Sequence, residues 1–348
     1  MKTKSESIIC AAYRLLAGAA CAGVFALTPV STLAENLFVA NSSNGTITKI
    51  TPDGTQSTFA SGLTNPYGLA FDAAGNLFVA GGGSTTGYIS KFTPGGTQST
   101  FATGLSYPQA LAFDSTTNLF EADSGSGRVL KFTPGGAQST FASGMSYPYG
   151  LAFGSTNNLY VADDGTGPAN GTINVFTPGG VESTFASGLL QQPIGLAFDS
   201  ASNLFVAGLF SGIITKITPL GVQSTYASGL GWPVGLAFDR AGNLFVSDNS
   251  GGKIYKFTPA GIQSTFATGL HNPAFIAFQP MLDLSIVLSG TNVILTWATN
   301  VVGTLQSATN LVPPVVWNAV SPGPVVSNRW NYVTNAVAAR QTFYRVSP

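Results

Sequence analysis

Asn76-Leu77-Phe78-Val79-Ala80 returns five more times along the chain. The copies are Asn36-Leu37-Phe38-Val39-Ala40, Asn118-Leu119-Phe120-Glu121-Ala122, Asn158-Leu159-Tyr160-Val161-Ala162, Asn203-Leu204-Phe205-Val206-Ala207 and Asn243-Leu244-Phe245-Val246-Ser247. Their starts are separated by 40, 42, 40, 45 and 40 residues. A fixed period of this size is the mark of a repeat architecture, and it decides the fold before any single residue is weighed.

Around Asn76 the unit reads as four short strands. Tyr67-Gly68-Leu69-Ala70-Phe71 is a flat apolar run, and Asp72-Ala73-Ala74-Gly75 is a turn. Aspartate supports such a turn by bonding to the backbone two residues on, and glycine by tolerating positive φ. Asn76–Ala80 is the second strand, and Gly81–Gly87 is a Gly/Ser/Thr loop. Tyr88–Phe92 alternates as a half-exposed strand does. Thr93-Pro94-Gly95-Gly96 turns again, and Gln98–Ala102 is a polar fourth strand suited to an outer edge. No repeat carries a sustained helical period. Four antiparallel strands per unit, grading from apolar to polar, predict an all-β fold: a six-bladed β-propeller with four-stranded antiparallel blades.

First strands also occur six times, ending at Phe71, Phe113, Phe153, Phe198, Phe238 and Phe278. Their order is offset, because the repeats open on a second strand at Asn36 and end on a first strand at Phe278. The simplest closure pairs Phe275–Phe278 beside Asn36–Ala40, so that one blade is sewn from both ends and the ring has no open seam.

Only 8% of the 348 residues are charged and the formal net charge is zero, so no basic stripe is present to follow a phosphate backbone. Lys2, Lys4 and Arg14 precede an apolar run from Leu15 to Val30, and Thr32-Leu33-Ala34 offers small residues for cleavage. Residues 1–34 are therefore expected to be a signal peptide, and the protein to be secreted, extracellular or periplasmic. The run, broken by Gly18, Gly23 and Pro29, is short for the ~20 apolar residues of a membrane span. Cleavage leaves 13 acidic and 11 basic residues and removes both Cys10 and Cys21, so no disulfide is expected. Gly18-Ala19-Ala20-Cys21 lacks the branched apolar residue that a lipoprotein site places three before the cysteine.

The unit Pro-x-Gly-Leu-Ala-Phe-Asp, then Asn-Leu-Phe-Val-Ala-Asp, then Ile-x-Lys-Phe-Thr-Pro-Gly-Gly resembles the NHL-repeat family of six-bladed propellers. Pro148–Gly180 shows it, with Gly154 for Asp and Val175 for Lys. The resemblance covers residues 35–280. It implies membership of a wider group that includes binding modules, gluconolactonase-type lactonases and streptogramin-type lyases. Beyond Pro280 the pattern changes to short strands punctuated by Pro313-Pro314 and Pro322-Gly323-Pro324. Trp297 and Phe343-Tyr344-Arg345-Val346 resemble a shortened fibronectin-type module, so 281–348 is expected to be a small β-sandwich.

The turn aspartates Asp72, Asp114, Asp199 and Asp239 recur at one position, and the turn itself explains them. Ligand chemistry is expected on the opposite face, where loops enter first strands and leave second ones. Entering loops bring Tyr67, Tyr107, Gln109, Tyr147, Tyr149, Gln192, Trp232, His271 and Asn272; leaving loops bring Asn41, Asp123, Asp163, Asp164 and Asp248. These positions vary while the frame repeats, as grafted loops on a scaffold do. Tyr67, Tyr107, Tyr149, Trp232, Asp123, Asp163 and Asp248 are the candidate ligand contacts, since aromatic faces beside polar groups suit a carbohydrate or a peptide.

The lactonases imply a glutamate-containing pore metal site, but the only glutamates beyond residue 34 are Glu35, Glu121 and Glu182. The lyases imply histidine and glutamate with magnesium, but His271 is the single histidine. No catalytic residue or metal ligand is assigned, although the hard oxygens of the Asp163–Asn170 loop are compatible with a divalent cation such as calcium. The expected function is non-catalytic binding of an extracellular carbohydrate or protein ligand by a monomer, with a metal-dependent hydrolase or lyase as the alternative. Glu121 replaces the valine of the other five copies. A buried carboxylate needs a partner, and Lys131 or Arg128 is expected to supply it.

Overall fold

The computed structural model describes residues 35–165, 171–189 and 192–280, together with strand segments between 285 and 347. Residues 35–280 form one compact unit of six four-stranded antiparallel sheets arranged as the blades of a propeller. Five of the blades run inner, second, third and outer strand in sequence order. In the second blade these are Pro66–Phe71, Leu77–Gly81, Gly87–Phe92 and Gln98–Leu105. Burial falls outward as the composition demands: Leu77–Gly81 is buried throughout, and Gln98–Thr100 is exposed.

The closing blade is sewn from both ends of the unit, in the order Pro273–Phe278, Leu37–Asn41, Thr46–Ile50, Gln56–Ala60. Leu37 stands opposite Phe278, and Val39 opposite Ile276. Extra polar links hold this closure. The Asn36 side chain donates to Gln279 at 3.1 Å, and Arg240 pairs with Glu35 at 3.0 Å. Buried Ser247 receives the Gly235 amide at 2.7 Å and donates to the Ala274 carbonyl of the closing inner strand at 2.5 Å. The other five blades carry alanine at this position. Removing a partner from buried polar groups costs about 1–3 kcal/mol. Ser247→Ala is therefore expected to destabilise the ring at the low end of that range in chemical denaturation, whereas Ala207→Ser, the reverse change in the fifth blade, brings no gain.

Three phenylalanine positions per unit have one shared cause. The aromatic ring of each second strand meets edge-on the outer-strand ring of its own blade and the inner-strand ring of the next. Phe38 touches Phe59 and Phe71, Phe78 touches Phe101 and Phe113, and the pattern runs on to Phe245, which touches Phe266 and Phe278. All twelve centroid separations lie between 4.9 and 5.2 Å. Each such pair adds about 0.5–1.5 kcal/mol beyond its buried area, and the sixth group, around Phe245, is completed by Phe278 from the far end of the unit.

Inner strands approach so closely that side chains are excluded at four seams. A Cβ on Gly68, Gly150, Gly195 or Gly235 would fall 2.0, 1.8, 1.9 or 2.7 Å from the next blade's carbonyl at Gln109, Ile194, Val234 or Ala274. Ala110, Ile194, Val234, Ala274 and Phe275 from the inner strands belong to one core cluster, with Tyr67 and Tyr149 packed against it.

The turn aspartates do what turn chemistry predicts. Asp72 accepts the amides of Ala74 and Asn76 at 3.0 and 2.8 Å and the Asn76 side chain at 2.7 Å, and Asp114, Asp199 and Asp239 hold their asparagines in the same way. Beyond Pro280 the described residues form seven strands in two antiparallel sheets, one of Ser285–Ser289, Asn292–Ala298, Trp330–Ala336 and Val325–Ser327, the other of Asn318–Ala319, Thr304–Ala308 and Phe343–Ser347. The side chains that would pack these sheets together lie outside the described residues, as does the expected signal peptide. Among the described residues no helix is long and apolar enough to cross a membrane.

Candidate functional site

The end of each second strand pairs with the proline that starts the neighbouring inner strand, which puts six equivalent loop pairs on one face. The pairs are Pro66 with Gly81, Pro108 with Asp123, Pro148 with Asp163, Pro193 with Gly208, Pro233 with Asp248 and Pro273 with Asn41. All seven candidate residues belong to this face, but they play different parts.

The three aspartates are buried and turned onto backbone amides. Asp163 accepts the amides of Ser146 and Tyr147 at 3.1 and 2.7 Å. Asp248 accepts those of Gly231, Trp232 and Gly251 at 3.1, 3.0 and 3.1 Å. Asp123 accepts the Ser106 amide at 3.0 Å. Asn41 does the same for His271 at 3.2 Å. These side chains hold the entering loops to the strands, each within its own blade. The recurrence of Asp, Asp, Asp and Asn opposite the starting proline was the readable sign of this role. Hydrogen bonds to a charged group contribute about 1.5–3 kcal/mol each. Asp248→Ala should thus lower thermal stability measurably and free the Trp232 loop, seen as faster amide exchange at Gly231 and Trp232; unchanged exchange would contradict the latch.

The aromatics divide into two groups. Tyr67 and Tyr149 follow the proline and pack into the axial cluster, where Tyr67 meets Phe275 edge-on at 5.6 Å. Burial pushes the Tyr67 phenol far above the ordinary tyrosine range, with a further contribution from Tyr149. Tyr149 is also raised, first by burial and then by Asp164, against hydrogen bonds from Gln192 and Ser124. The Gln192 amide donates to the Tyr149 hydroxyl at 2.9 Å. Asp164 is raised by burial, partly offset by hydrogen bonds from Gln192. Tyr149, Gln192, Asp164 and Ser124 thus form a small polar group on the loop face.

The second group precedes the proline and faces solvent: Tyr107 is 51% exposed, Tyr147 49% and Trp232 46%. Phe210, from the loop after the fifth blade's second strand, is 58% exposed and stands edge-on to Trp232 at 6.1 Å. The sequence reading did not single out Phe210; its sign was a large aromatic in a loop where the other blades carry Ser, Gly or Asp. Residues 166–170 of the loop weighed for calcium lie outside the described residues. Among those described, no three His, Cys, Asp or Glu side chains come together as a metal-ligand group.

The expected ion pair of Glu121 is not formed. Register places Leu130, not Lys131, opposite Glu121, and Lys131 opposite Phe120. Adjacent strand residues point to opposite faces, so Lys131 lies over the Phe120 ring at 5.4 Å, and Arg128 stands opposite Asp123. Glu121 is 0% exposed and neither carboxyl oxygen has a hydrogen-bond partner. Burial drives its carboxyl well above the usual range, and Asp123 adds to the shift.

No protein-family model matches the chain, and no curated protein matches its sequence. Solved structures do match. A nidogen/laminin complex aligns with TM-score 0.63 at 20% identity, covering 71% of this chain and 98% of that one. A gluconolactonase from Xanthomonas campestris aligns with TM-score 0.54 at 19% identity, covering 61% and 79%. Virginiamycin B lyase from Staphylococcus aureus aligns with TM-score 0.50 at 14% identity, covering 81% and 94%. These neighbours are six-bladed propellers, one of binding type and two enzymes, and at such identities the shared property is the fold: this chain is a six-bladed β-propeller.

Proposed function

We propose that the protein is a secreted, non-catalytic binding propeller that recognises an extracellular carbohydrate or protein ligand on its loop face. One observation carries the reading: the loop-face carboxylates Asp123, Asp163 and Asp248 are engaged by backbone amides, while Tyr107, Tyr147 and Trp232 are left in solvent. A face of this kind offers contact area and orientation rather than a reactive group. Residues 281–348 complete the proposal as a fibronectin-like sandwich, and the molecule acts as a monomer.

Carbohydrate and peptide arrays probed with wild type and with Tyr107→Ala/Trp232→Ala test it. Binding is expected for wild type and a loss of at least roughly tenfold for the double variant, since each 1.4 kcal/mol is a factor of ten. Binding that survives both changes places the site elsewhere. The alternative, a metal-dependent hydrolase or lyase, draws on the enzyme neighbours and on the Tyr149–Gln192–Asp164 group. Lactone hydrolysis that requires added Ca²⁺ or Mn²⁺ and stops on chelation would favour it.

A further inference from the structure

We infer that the six residues preceding the inner-strand prolines form a binding ring for a neutral glycan, an inference that rests on the loop-face reading and narrows it. Around the ring they are Asn65, Tyr107, Tyr147, Gln192, Trp232 and Asn272: three carboxamides and three aromatics, none with a formal charge. Gln192 is half-buried, and the other five are exposed. Each stands at the same register of its blade, one residue before a proline paired to the end of the second strand.

The ring is built in advance. Asn65, Tyr107, Gln192 and Asn272 have φ of 44, 48, 61 and 49°, the left-handed region that side chains rarely adopt. The fold stabilises these conformations with loop hydrogen bonds. The Tyr107 amide donates to Gly83 at 3.2 Å, Leu209 donates to the Gln192 carbonyl at 3.0 Å, and Ser42 donates to the Asn272 carbonyl at 3.2 Å. At the other two aromatics the support is ionic: Asp163 takes the Tyr147 amide and Asp248 the Trp232 amide. The backbone that presents these rings and amides is thereby held before a ligand arrives, which reduces the ordering cost of binding.

The chemistry selects the ligand class. An aromatic face covers the C–H face of a sugar ring, and a neighbouring carboxamide supplies both a donor and an acceptor to vicinal hydroxyls. The aromatics come from different blades, Tyr107 and Tyr147 on neighbouring ones and Trp232 beyond Gln192, so successive sugar units of one chain can each meet a ring with a carboxamide beside the set. An extended peptide would instead seek a free strand edge or a deep apolar pocket. The six residues lie in the loops before the inner strands and not on a strand that ends a sheet at its outer edge. An acidic polymer would seek cations, and the ring contains none.

The test is titration calorimetry of the full chain with a panel of neutral glucan, xylan and mannan oligosaccharides, with oligogalacturonate as the acidic counterpart and neutral peptides of similar length. A neutral oligosaccharide is expected to bind and oligogalacturonate to bind more weakly. Tyr147→Ala and Trp232→Ala should each weaken the interaction by roughly tenfold, Phe210→Ala less, with melting temperatures unchanged because these side chains are exposed. No binding by any neutral oligosaccharide overturns the inference. Peptide binding lost in the same variants overturns the glycan class while sustaining the loop face. Oligosaccharide binding indifferent to all three variants overturns the ring and the loop-face reading together.

Discussion

A chain ending at Asn272 will fail to form the propeller, whereas one ending at Pro280 will melt cooperatively. The eight residues between those ends are the inner strand of the closing blade and its link to Asn36. Without them Leu37–Asn41 loses its pairing to Pro273–Phe278. Phe245 loses its contact with Phe278, Tyr67 loses Phe275, and Ser247 loses the Ala274 carbonyl. Fully burying one large apolar side chain contributes about 1.5–3 kcal/mol. Ile276 and Phe275 are buried and Phe278 is partly so. Their loss, with the hydrogen bonds of a whole strand, is comparable to the ~5–15 kcal/mol net stability of an ordinary domain. Circular dichroism melts and limited proteolysis of the two chains decide the matter. Equal melting temperatures would show that the ring does not depend on this strand.

The closure was legible because it follows from counting. Six first strands and six second strands with offset order leave one blade to be completed from both ends, and chain geometry offers no simpler solution. Strand identity was legible for a related reason. A unit repeated six times exposes which positions are apolar in every copy, and Leu37, Leu77, Leu119, Leu159, Leu204 and Leu244 are all buried. The site was less legible. Variation between copies marks loops that differ, but it does not distinguish a side chain that faces solvent from one that turns back to hold its loop. Asp123, Asp163 and Asp248 vary with Gly81 and Gly208, and they vary because their blades use a side-chain latch. Tyr67 and Tyr107 are both aromatic neighbours of a proline, yet the first packs on the axis and the second stands in solvent, since they lie on opposite sides of Pro66 and Pro108 in their respective units. Tyr67 lies in the extended inner strand, while Tyr107 stands in the loop before its strand with φ of 48° and escapes the strand's alternation. Within a strand, one position reverses the direction of the side chain. The same one-residue step misplaced Lys131: pairing counted from Phe132 opposite Leu119 puts Leu130, not Lys131, beside Glu121.

Glu121 is the position where the second large effect is expected. Its face of the strand also carries Leu119, and its cross-strand neighbours are Leu111 and Leu130. The seam there is apolar, with Ala80, Ile89 and Leu105 from the second blade and Leu111, Leu119 and Leu130 from the third. The charged groups nearby do not relieve it: Asp123 raises its pKa further, Arg128 stands opposite Asp123, and Lys131 points to the other face. The carboxyl is therefore held protonated in the folded state across a range where the unfolded chain has released its proton. The raised folded pKa sets the sign. This group's contribution to stability is fully present below the unfolded value near 4.5 and is lost as pH rises toward the folded one. Glu121→Val restores the residue of the other five blades and removes two unsatisfied buried oxygens. A gain of about 1–3 kcal/mol is expected near neutral pH, at roughly 2–4 °C of melting temperature per kcal/mol for a domain of this size. The gain should shrink as pH falls through 4.5, below which the wild-type carboxyl is protonated in both states. Glu121→Gln separates the two causes, since it removes the proton linkage and keeps the polar group, so it should flatten the pH profile with a smaller gain. Melting curves of the three proteins across pH 4–8 give the answer. A valine variant that is less stable than wild type at neutral pH, or one that keeps the wild-type pH slope, would mean that this carboxyl has a partner or a conformation other than the one described.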